Sequence, residues 1–260
     1  MNIYKYPRTA HLAGSGIQRG DEDVPIRPLR ELENRHLVIE EKMDGANSAI
    51  SFTATSQILL QSRGHFLSGG PREAQFNLFK TWAYTHMAQL FDVLTDRYIM
   101  YGEWLYAKHT IFYTDLPHYF LEFDIYDKQQ EEFLSTERRQ RLLLDTPCVI
   151  SVKVLYTGQI QTSEQLTSLI GPSHFISANH LETLRSTCQE KLLDPHQVLK
   201  ETDQSQLMEG LYIKVEEDGI VKERYKYVRS SFLQAVFDSE SHWQDRPILP
   251  NRLRPDALLF

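Results

Sequence analysis

Cysteine is scarce in this sequence: Cys148 and Cys188 are the two present among 260 residues. Their spacing offers neither a zinc-ligand pattern nor a disulfide framework. That excludes a small disulfide-stapled scaffold and makes a reducing, cytoplasmic setting the expectation. An excess of positive charge is also lacking. The net charge is -7, so overall charge will not hold nucleic acid, although a local basic groove could. No apolar run approaches the length of a membrane span, and the opening MNIYKYPRTAHLAG has no apolar core of the kind a signal peptide carries. Internal repeats, low-complexity tracts and the Gly-x-x-x-x-Gly-Lys-Ser/Thr phosphate loop are all missing. What remains suits a folded chain. The 41% of hydrophobic residues can fill a core and the 24% of charged residues can cover it.

Local patterns alternate between the two regular structures. The first thirty residues are punctuated by Pro7, Gly14, Gly16, Gly20, Pro25 and Pro28 and read as irregular. LVIEE (Leu37 to Glu41), NSAISF and QILLQS read as strands. Pro71 opens a helix in which Phe76, Phe79, Trp82, Ala83, Met87, Leu90 and Leu94 recur at helical spacing. RYIMYGEWLY, HYFLEFDIYD and VISVKVLY read as strands, with Ser135 capping a helix over residues 136–144. Helices are expected near residues 163–170, ending at Gly171, and near 177–193. MEGLYIKVEEDGIVKERYKYV reads as a hairpin turning at Asp218-Gly219. The expected class is α+β with long antiparallel strands.

The stretch Glu40-Glu41-Lys42-Met43-Asp44-Gly45-Ala46-Asn47 carries the chemical signal. A lysine at a strand end before a glycine turn can hold its amine at the mouth of a sheet. Lysine is a covalent catalyst once deprotonated. Its ordinary pKa of about 10.4 leaves roughly one in a thousand neutral at pH 7.4, a cost of about 4 kcal/mol. Neighbouring carboxylates favour the charged form and add to that cost. A functional Lys42 therefore needs burial or a cation beside it. On its own the motif would equally suit a surface turn in which Lys42 pairs with Glu40 or Glu41.

It does not stand alone. Lys42, Asp44, Gly45 and Asn47 match a Lys-x-Asp/His-Gly-x-Asn element, and further elements follow in order. These are Ser62-Arg63-Gly64, Tyr101-Gly102-Glu103-Trp104-Leu105, Phe123-Asp124-Ile125-Tyr126, Glu209-Gly210-Leu211-Tyr212-Ile213-Lys214, and the basic run Lys222, Arg224 and Lys226. Together the sequence resembles the ATP-dependent RNA ligase family of covalent nucleotidyltransferases, from about residue 5 to residue 230. The resemblance implies a nucleotidyltransferase domain, two antiparallel sheets around a nucleotide groove. It implies that Lys42 takes AMP from ATP, passes it to an RNA 5′-phosphate, and that a 3′-hydroxyl then seals the ends.

Each matched residue takes an implied role. Glu103 and Glu209 would sit by a divalent cation, Mg2+ or Mn2+, which keeps several waters and uses few carboxylates. In the family the glutamate at Glu103 is also associated with the ribose. Phe123 would stack on adenine and Glu41 would lie at its edge. Asn47 would contact phosphate, and asparagine there is the RNA-joining pattern, where DNA ligases and capping enzymes more often carry arginine. Arg63 would reach a ribose or the RNA end. Lys214, Lys222, Arg224 and Lys226 would hold phosphates; residues 222, 224 and 226 share one face of a strand. Arg229 is the alternative in another register. Lys5, Arg8 and His11 resemble family residues near the substrate face, and Lys108, His109 and Tyr113 resemble the loop after Glu103. His109 has no partner at metal-ligand spacing and is not expected to bind zinc.

The expected organisation is a ligase domain over residues 1–235 and a short tail over 236–260, holding Trp243, Pro247, Pro250 and Pro255. Such a tail is too short for the OB-fold of DNA ligases and capping enzymes. RNA ends or a nicked duplex are the expected partners, with no membrane. A separate end-healing kinase or phosphatase is also expected, because this chain carries no phosphate loop of its own. A DNA ligase, a GTP-using capping-type transferase, or a non-sealing end-binding module stand as alternatives.

Overall fold

The computed structural model describes residues 3–17, 20–239 and 246–260; Trp243 lies outside them. The irregular start holds two short strands, β1 (Ala10–Leu12) and β2 (Ile26–Arg27). β3 (Leu37–Lys42), β4 (Ala46–Phe52) and β5 (Ile58–Ser62) follow where alternation and β-branching place them. Pro71 opens a 3-10 turn that leads into α1 (Asn77–Thr85), and α2 (Met87–Leu94) continues after a break at His86. Then come β6 (Tyr98–Trp104), β7 (Phe120–Asp127), β8 (Glu132–Phe133) and α3 (Thr136–Leu142), whose cap Ser135 accepts from the Arg138 N–H at 3.4 Å.

The expected single strand over VISVKVLY is two strands, β9 (Ile150–Ser151) and β10 (Val154–Gly158). β9 pairs with β7 and β10 with β3, so the chain crosses between sheets at Val152 and Lys153 and cannot stay one strand. α4 (Ser163–Thr167) starts from a Thr162/Gln165 capping box and ends at Ser168, short of Gly171. α5 (His180–Glu190) is followed by α6 (Pro195–Lys200), which the sequence reading missed although Asp194-Pro195 is a cap and first-turn pair. β11 (Gly210–Glu217) and β12 (Ile220–Val228) form the expected hairpin, and α7 (Ser230–Asp238) runs across the expected boundary at residue 235.

Two sheets result. One has the order β10-β3-β11-β12-β1-β2, the other β5-β4-β6-β7-β8 with β9 beside β7. Most pairings are antiparallel, but β1 is parallel to both β12 and β2, and β9 to β7. The fold is mixed α+β with two sheets. Phe79, Trp82, Trp104, Phe120 and Ile125 belong to the larger core, built around α1, α2 and the second sheet. Leu37, Ile39, Leu211, Ile213, Val215 and Tyr225 form a second core on the first sheet. Among the described residues no helix is long and apolar enough to cross a membrane.

Between the sheets lies a buried charge network. Arg139 donates to Glu122 at 2.6 Å and to Glu40 at 2.7 Å. Lys214 reaches Glu40 (2.9 Å), Asp124 (3.2 Å) and the Phe123 carbonyl. Arg224 donates to Asp124 at 3.0 Å and lies 3.7 Å over the Phe133 ring. β3, β11 and β12 of one sheet are thereby tied to β7 and β8 of the other. Burial pushes the Asp124 carboxyl up, but Lys214, Arg224 and Arg139 outweigh it and hold it at about 2. Burial wins at Glu40, whose carboxyl lies above its ordinary value despite Lys214 and Arg139.

The last residues fold back along the loop after β6. Asn251, fully buried, accepts from the Tyr113 N–H at 2.9 Å and donates to the Leu105 carbonyl at 2.7 Å. Its backbone bonds Tyr106 and the Tyr119 hydroxyl.

Two stability measurements follow from these contacts. Arg139→Met leaves Glu40 and Glu122 without their shared cation, and a loss of about 3–5 kcal/mol is expected in urea unfolding. An unchanged midpoint would show that the network does not hold the sheets together. Asn251→Ala strands a buried N–H and a buried carbonyl and should cost about 2 kcal/mol or more in thermal unfolding. A melting curve matching the parent would show that the tail is not part of the folded unit.

Candidate active site

β3 ends at Lys42 because the chain must turn there. A Cβ on Gly45 would sit 2.8 Å from the Trp104 carbonyl oxygen and 2.7 Å from Leu105. Only glycine lets the turn press this closely on β6. Lys42 is in register with Gly210, the first residue of β11. A Cβ on Gly210 would come within 2.0 Å of the Tyr227 carbonyl oxygen, so glycine is needed there too. The preceding residue, Glu209, faces the lysine: Lys42 Nζ donates to Glu209 Oε1 at 2.6 Å. Across the turn, Asn47 pairs with Glu103 in the β4–β6 register.

These residues line one cavity of about 1450 Å³. Of the sequence-predicted residues, Glu41, Lys42, Asn47, Arg63, Glu103, Phe123, Glu209 and Lys226 belong to its wall, as do Lys108 and His109 of the loop after Glu103. The rest do not. Lys214 is fully buried in the network between the sheets, where Glu40, Asp124 and the Phe123 carbonyl engage its ammonium. Arg224 is engaged by Asp124 and Phe133. Lys222 lies towards the hairpin turn, 3.8 Å from Asp218. The strand face that residues 222, 224 and 226 share thus passes from the turn, through the network, to the cavity. Arg229 is buried against Asp203 and the Met208 carbonyl. Near the start of the chain, Lys5 is exposed, Arg8 pairs with Asp21 and Asp23, and His11 is buried against Ser15.

The electrostatics are crowded. Burial works against the Lys42 charge, but Glu209, then Glu103 and Asp44, outweigh it and hold the ammonium above its ordinary pKa. Burial also raises the carboxyls, Glu209 to about 7 and Glu103 to about 8, with Lys42 compensating only in part. Both members of the Lys42–Glu209 pair are therefore raised. The lysine keeps its proton near neutrality and the carboxylate is the labile partner. Two adjacent carboxylates that repel each other form a hard-oxygen set suited to Mg2+ or Mn2+. Among the described residues there is no cluster of three or more His, Cys, Asp or Glu side chains placed to hold a metal. Such an ion would complete its shell with water and substrate oxygens.

Phe123 reaches the cavity through a bulge. The β6–β7 register slips between Tyr101 and Gly102, which face Asp124 and Glu122, leaving Phe123 as the extra residue. Its ring meets Tyr6 edge-on at 5.1 Å and lies 6.1 Å from Tyr212. Glu41 is held by the Ser173 hydroxyl at 2.5 Å and by His174 Nδ1 at 3.0 Å. Arg63 is exposed at the rim.

Several residues with a part in the site were not singled out for it. Asp44 Oδ2 accepts the Thr110 and Ile111 N–H groups, both at 2.7 Å, and the Asp44 N–H donates to Tyr113 Oη at 2.9 Å. The loop after β6 thus holds the turn that follows Lys42. Asp21 binds Lys226, and burial lowers the Lys226 pKa despite that partner. Tyr6, Tyr212 and Arg246 also line the cavity. Asp44 and Tyr212 lie within matched elements but were given no role, whereas Tyr6, Asp21 and Arg246 come from segments outside every matched element.

Comparison with known proteins gives three findings. The RNA ligase family model matches residues 35–228. No curated protein matches the sequence. Solved structures from Naegleria gruberi match in fold: an RNA ligase mutant with ATP and Mn at 19% identity and TM-score 0.53, and the RNA ligase with PPi at 20% identity and TM-score 0.53. Each match covers 81% of this chain and 54% of the other, so the chain spans about half the length of those structures. A family match over residues 35–228 takes in Lys42, Glu103 and Glu209, and the chain belongs to the RNA ligase family.

Proposed function

We propose that this chain is an ATP-dependent RNA ligase that joins a 5′-phosphate to a 3′-hydroxyl end through AMP carried on Lys42. The observation that carries the reading is Lys42 Nζ at the cavity wall, 2.6 Å from Glu209 and close enough to Glu103 to feel its charge, in a chain of the RNA ligase family. The similar Naegleria gruberi structures are described with ATP and Mn or with PPi, which supports ATP as the substrate here.

The lysine amine attacks the α-phosphorus of ATP. A nitrogen–phosphorus bond forms and the bond to pyrophosphate breaks. The RNA 5′-phosphate then displaces Lys42, and the 3′-hydroxyl finally displaces AMP. Before the first step the ammonium must lose a proton, which Glu209 Oε1 is placed to accept. Glu103 and Glu209 would hold the divalent cation, whose charge, when bound, favours the neutral amine and offsets that of the phosphates. Phe123 and Tyr212 would flank the base, and Asn47, Arg63 and Lys226 would meet phosphate and ribose oxygens around it. Ligation consumes a 5′-phosphate and a 3′-hydroxyl, so a separate kinase or phosphatase would supply the ends. Cys148 and Cys188, both free thiols, suit the reducing cytoplasmic setting proposed with it.

The intact mass of the protein after incubation with ATP and Mg2+ or Mn2+ tests the first step. The expected gain is one AMP, mapped to Lys42, abolished by EDTA and absent in Lys42→Ala with unchanged thermal unfolding. AMP on another lysine, or labelling that survives Lys42→Ala, would refute the assignment. GTP in place of ATP, and nicked DNA in place of nicked RNA, separate the capping and DNA-joining alternatives. Glu209→Gln retains a hydrogen-bonding group but removes the charge, and a fall of about 100-fold or more in the adenylylation rate is expected. A rate within twofold of the parent would remove Glu209 from the chemistry.

A further inference from the structure

The loop between β1 and β2 brings an acid to a place where the scheme above has no use for one. Asp21 and its neighbour Gly20 belong to the cavity wall. Lys226 Nζ donates to Asp21 Oδ2, and Arg8 Nη2 donates to Asp21 Oδ1 at 3.2 Å. His11 Nε2 lies 3.4 Å from Asp21 Oδ2. A lysine, an arginine and a histidine thus converge on one carboxylate, as they would on a bound anion. The Asp21 and Lys226 side chains are largely buried, at 15% and 13% exposure. Lys226 is close enough to Lys42 and Glu209 to feel their charges, so the pair stands at the reacting end of the cavity.

Asp21 works against a polyphosphate. Glu209, Glu103 and Asp44 already act on Lys42, and a further carboxylate adds to the repulsion of an approaching phosphate. It also engages the ammonium that the scheme assigns to phosphate. Holding the strands together does not require it. β1 is paired with β12, with Ala10 opposite Tyr225 and His11 opposite Lys226. The Gly16 N–H donates to the Val228 carbonyl at 2.8 Å, and the Val228 N–H donates to Ser15 Oγ at 2.9 Å. The backbone around Asp21 faces solvent: Gly20, Glu22 and Asp23 are exposed, and a Cβ on Gly20 would meet nothing within 4 Å. Arg8 also donates to Asp23 Oδ2 at 2.6 Å and to the Gly20 carbonyl at 2.8 Å. The loop therefore keeps a tie to its own arm when Lys226 releases Asp21. Breaking the pair costs one part-buried ion pair, and a phosphate oxygen at Lys226 restores the lost charge contact.

We propose that Asp21 is an autoinhibitory latch, holding Lys226 until a phosphate of the substrate displaces it. The proposal rests on the assignment of Lys226 to phosphate made under the ligase reading.

Binding of sodium pyrophosphate to the full chain, measured by titration calorimetry with Mg2+ present, tests the latch without turnover. Asp21→Asn keeps the shape of the side chain and removes its charge, and the affinity is expected to rise about tenfold or more. Asp21→Ser, with a smaller side chain, should show the same rise and serves if the first variant does not fold. Asp23→Asn removes one charge from the same loop without touching Lys226, and a change of less than about twofold is expected. In a Lys226→Gln background the gain from Asp21→Asn should likewise fall below about twofold. Binding that is unchanged or weaker in a folded Asp21 variant overturns the latch. So does an equal gain in Asp23→Asn or in the Lys226→Gln background, or no pyrophosphate binding by any of the proteins. AMP uptake on Lys42 reports separately on the ligase reading. A chain that takes up AMP but gains no pyrophosphate affinity in Asp21→Asn loses the latch alone. One that never takes up AMP yet shows the gain loses the ligase reading and keeps the latch.

Discussion

The active site depends on charges it does not use. Arg139, Lys214 and Arg224 stand between the two sheets and hold Glu40, Glu122 and Asp124 there. Each of these ions is expensive to bury and is tolerated only because its partners are placed within bonding distance. A slip of one sheet against the other would break several pairs at once. The network therefore sets the offset between β3, which ends in Lys42, and β7, which carries Phe123. An apolar filling of the same volume would bury surface equally well but would penalise sliding less. The charges thus favour one alignment of the sheets, and so one shape for the cavity that both sheets line.

That framework places a charged lysine among three carboxylates. Glu209, Glu103 and Asp44 all favour the ammonium form of Lys42, which is the wrong form for attack. The same carboxylates repel one another, and burial raises Glu103 and Glu209 far above ordinary glutamates. Both tensions have one remedy, a divalent positive charge among the oxygens. It would stabilise the carboxylates in their charged form and weaken their hold on the lysine proton. Without such a charge, the Lys42–Glu209 pair keeps the lysine protonated.

The sequence made part of this legible for definite reasons. Lys42, Asn47, Glu103 and Glu209 could be read because each lies on or beside a strand whose neighbours in the motif are local. Phe123 was found by resemblance, but its exposure to the cavity depends on a bulge that strict alternation does not show. Lys214 and Arg224 were assigned to phosphate because they are basic and flank the right strands. A face pattern cannot tell a groove from the gap between two sheets, and in this fold one strand face borders both. α6 and α7 were missed for a simpler reason. Both are short, so each offers too few turns for an apolar face to repeat, and α7 follows directly on the strand pattern of the hairpin.

The returning tail shows the limit of dividing a chain by motif. Residues after β12 carry no matched element, and by spacing alone they look dispensable. Yet Asn251 pins Tyr113 and Leu105, Tyr113 bonds the backbone of Asp44, and the neighbouring Thr110 and Ile111 hold the Asp44 carboxylate. Asp44 is two residues from Lys42. The chain of contacts from the tail to Lys42 is thus short, buried and made largely of hydrogen bonds with fixed geometry. A loop of this length without such a strap would pay more entropy to keep two backbone N–H groups aimed at one carboxylate. The tail therefore contributes to the order of the site, through Asn251.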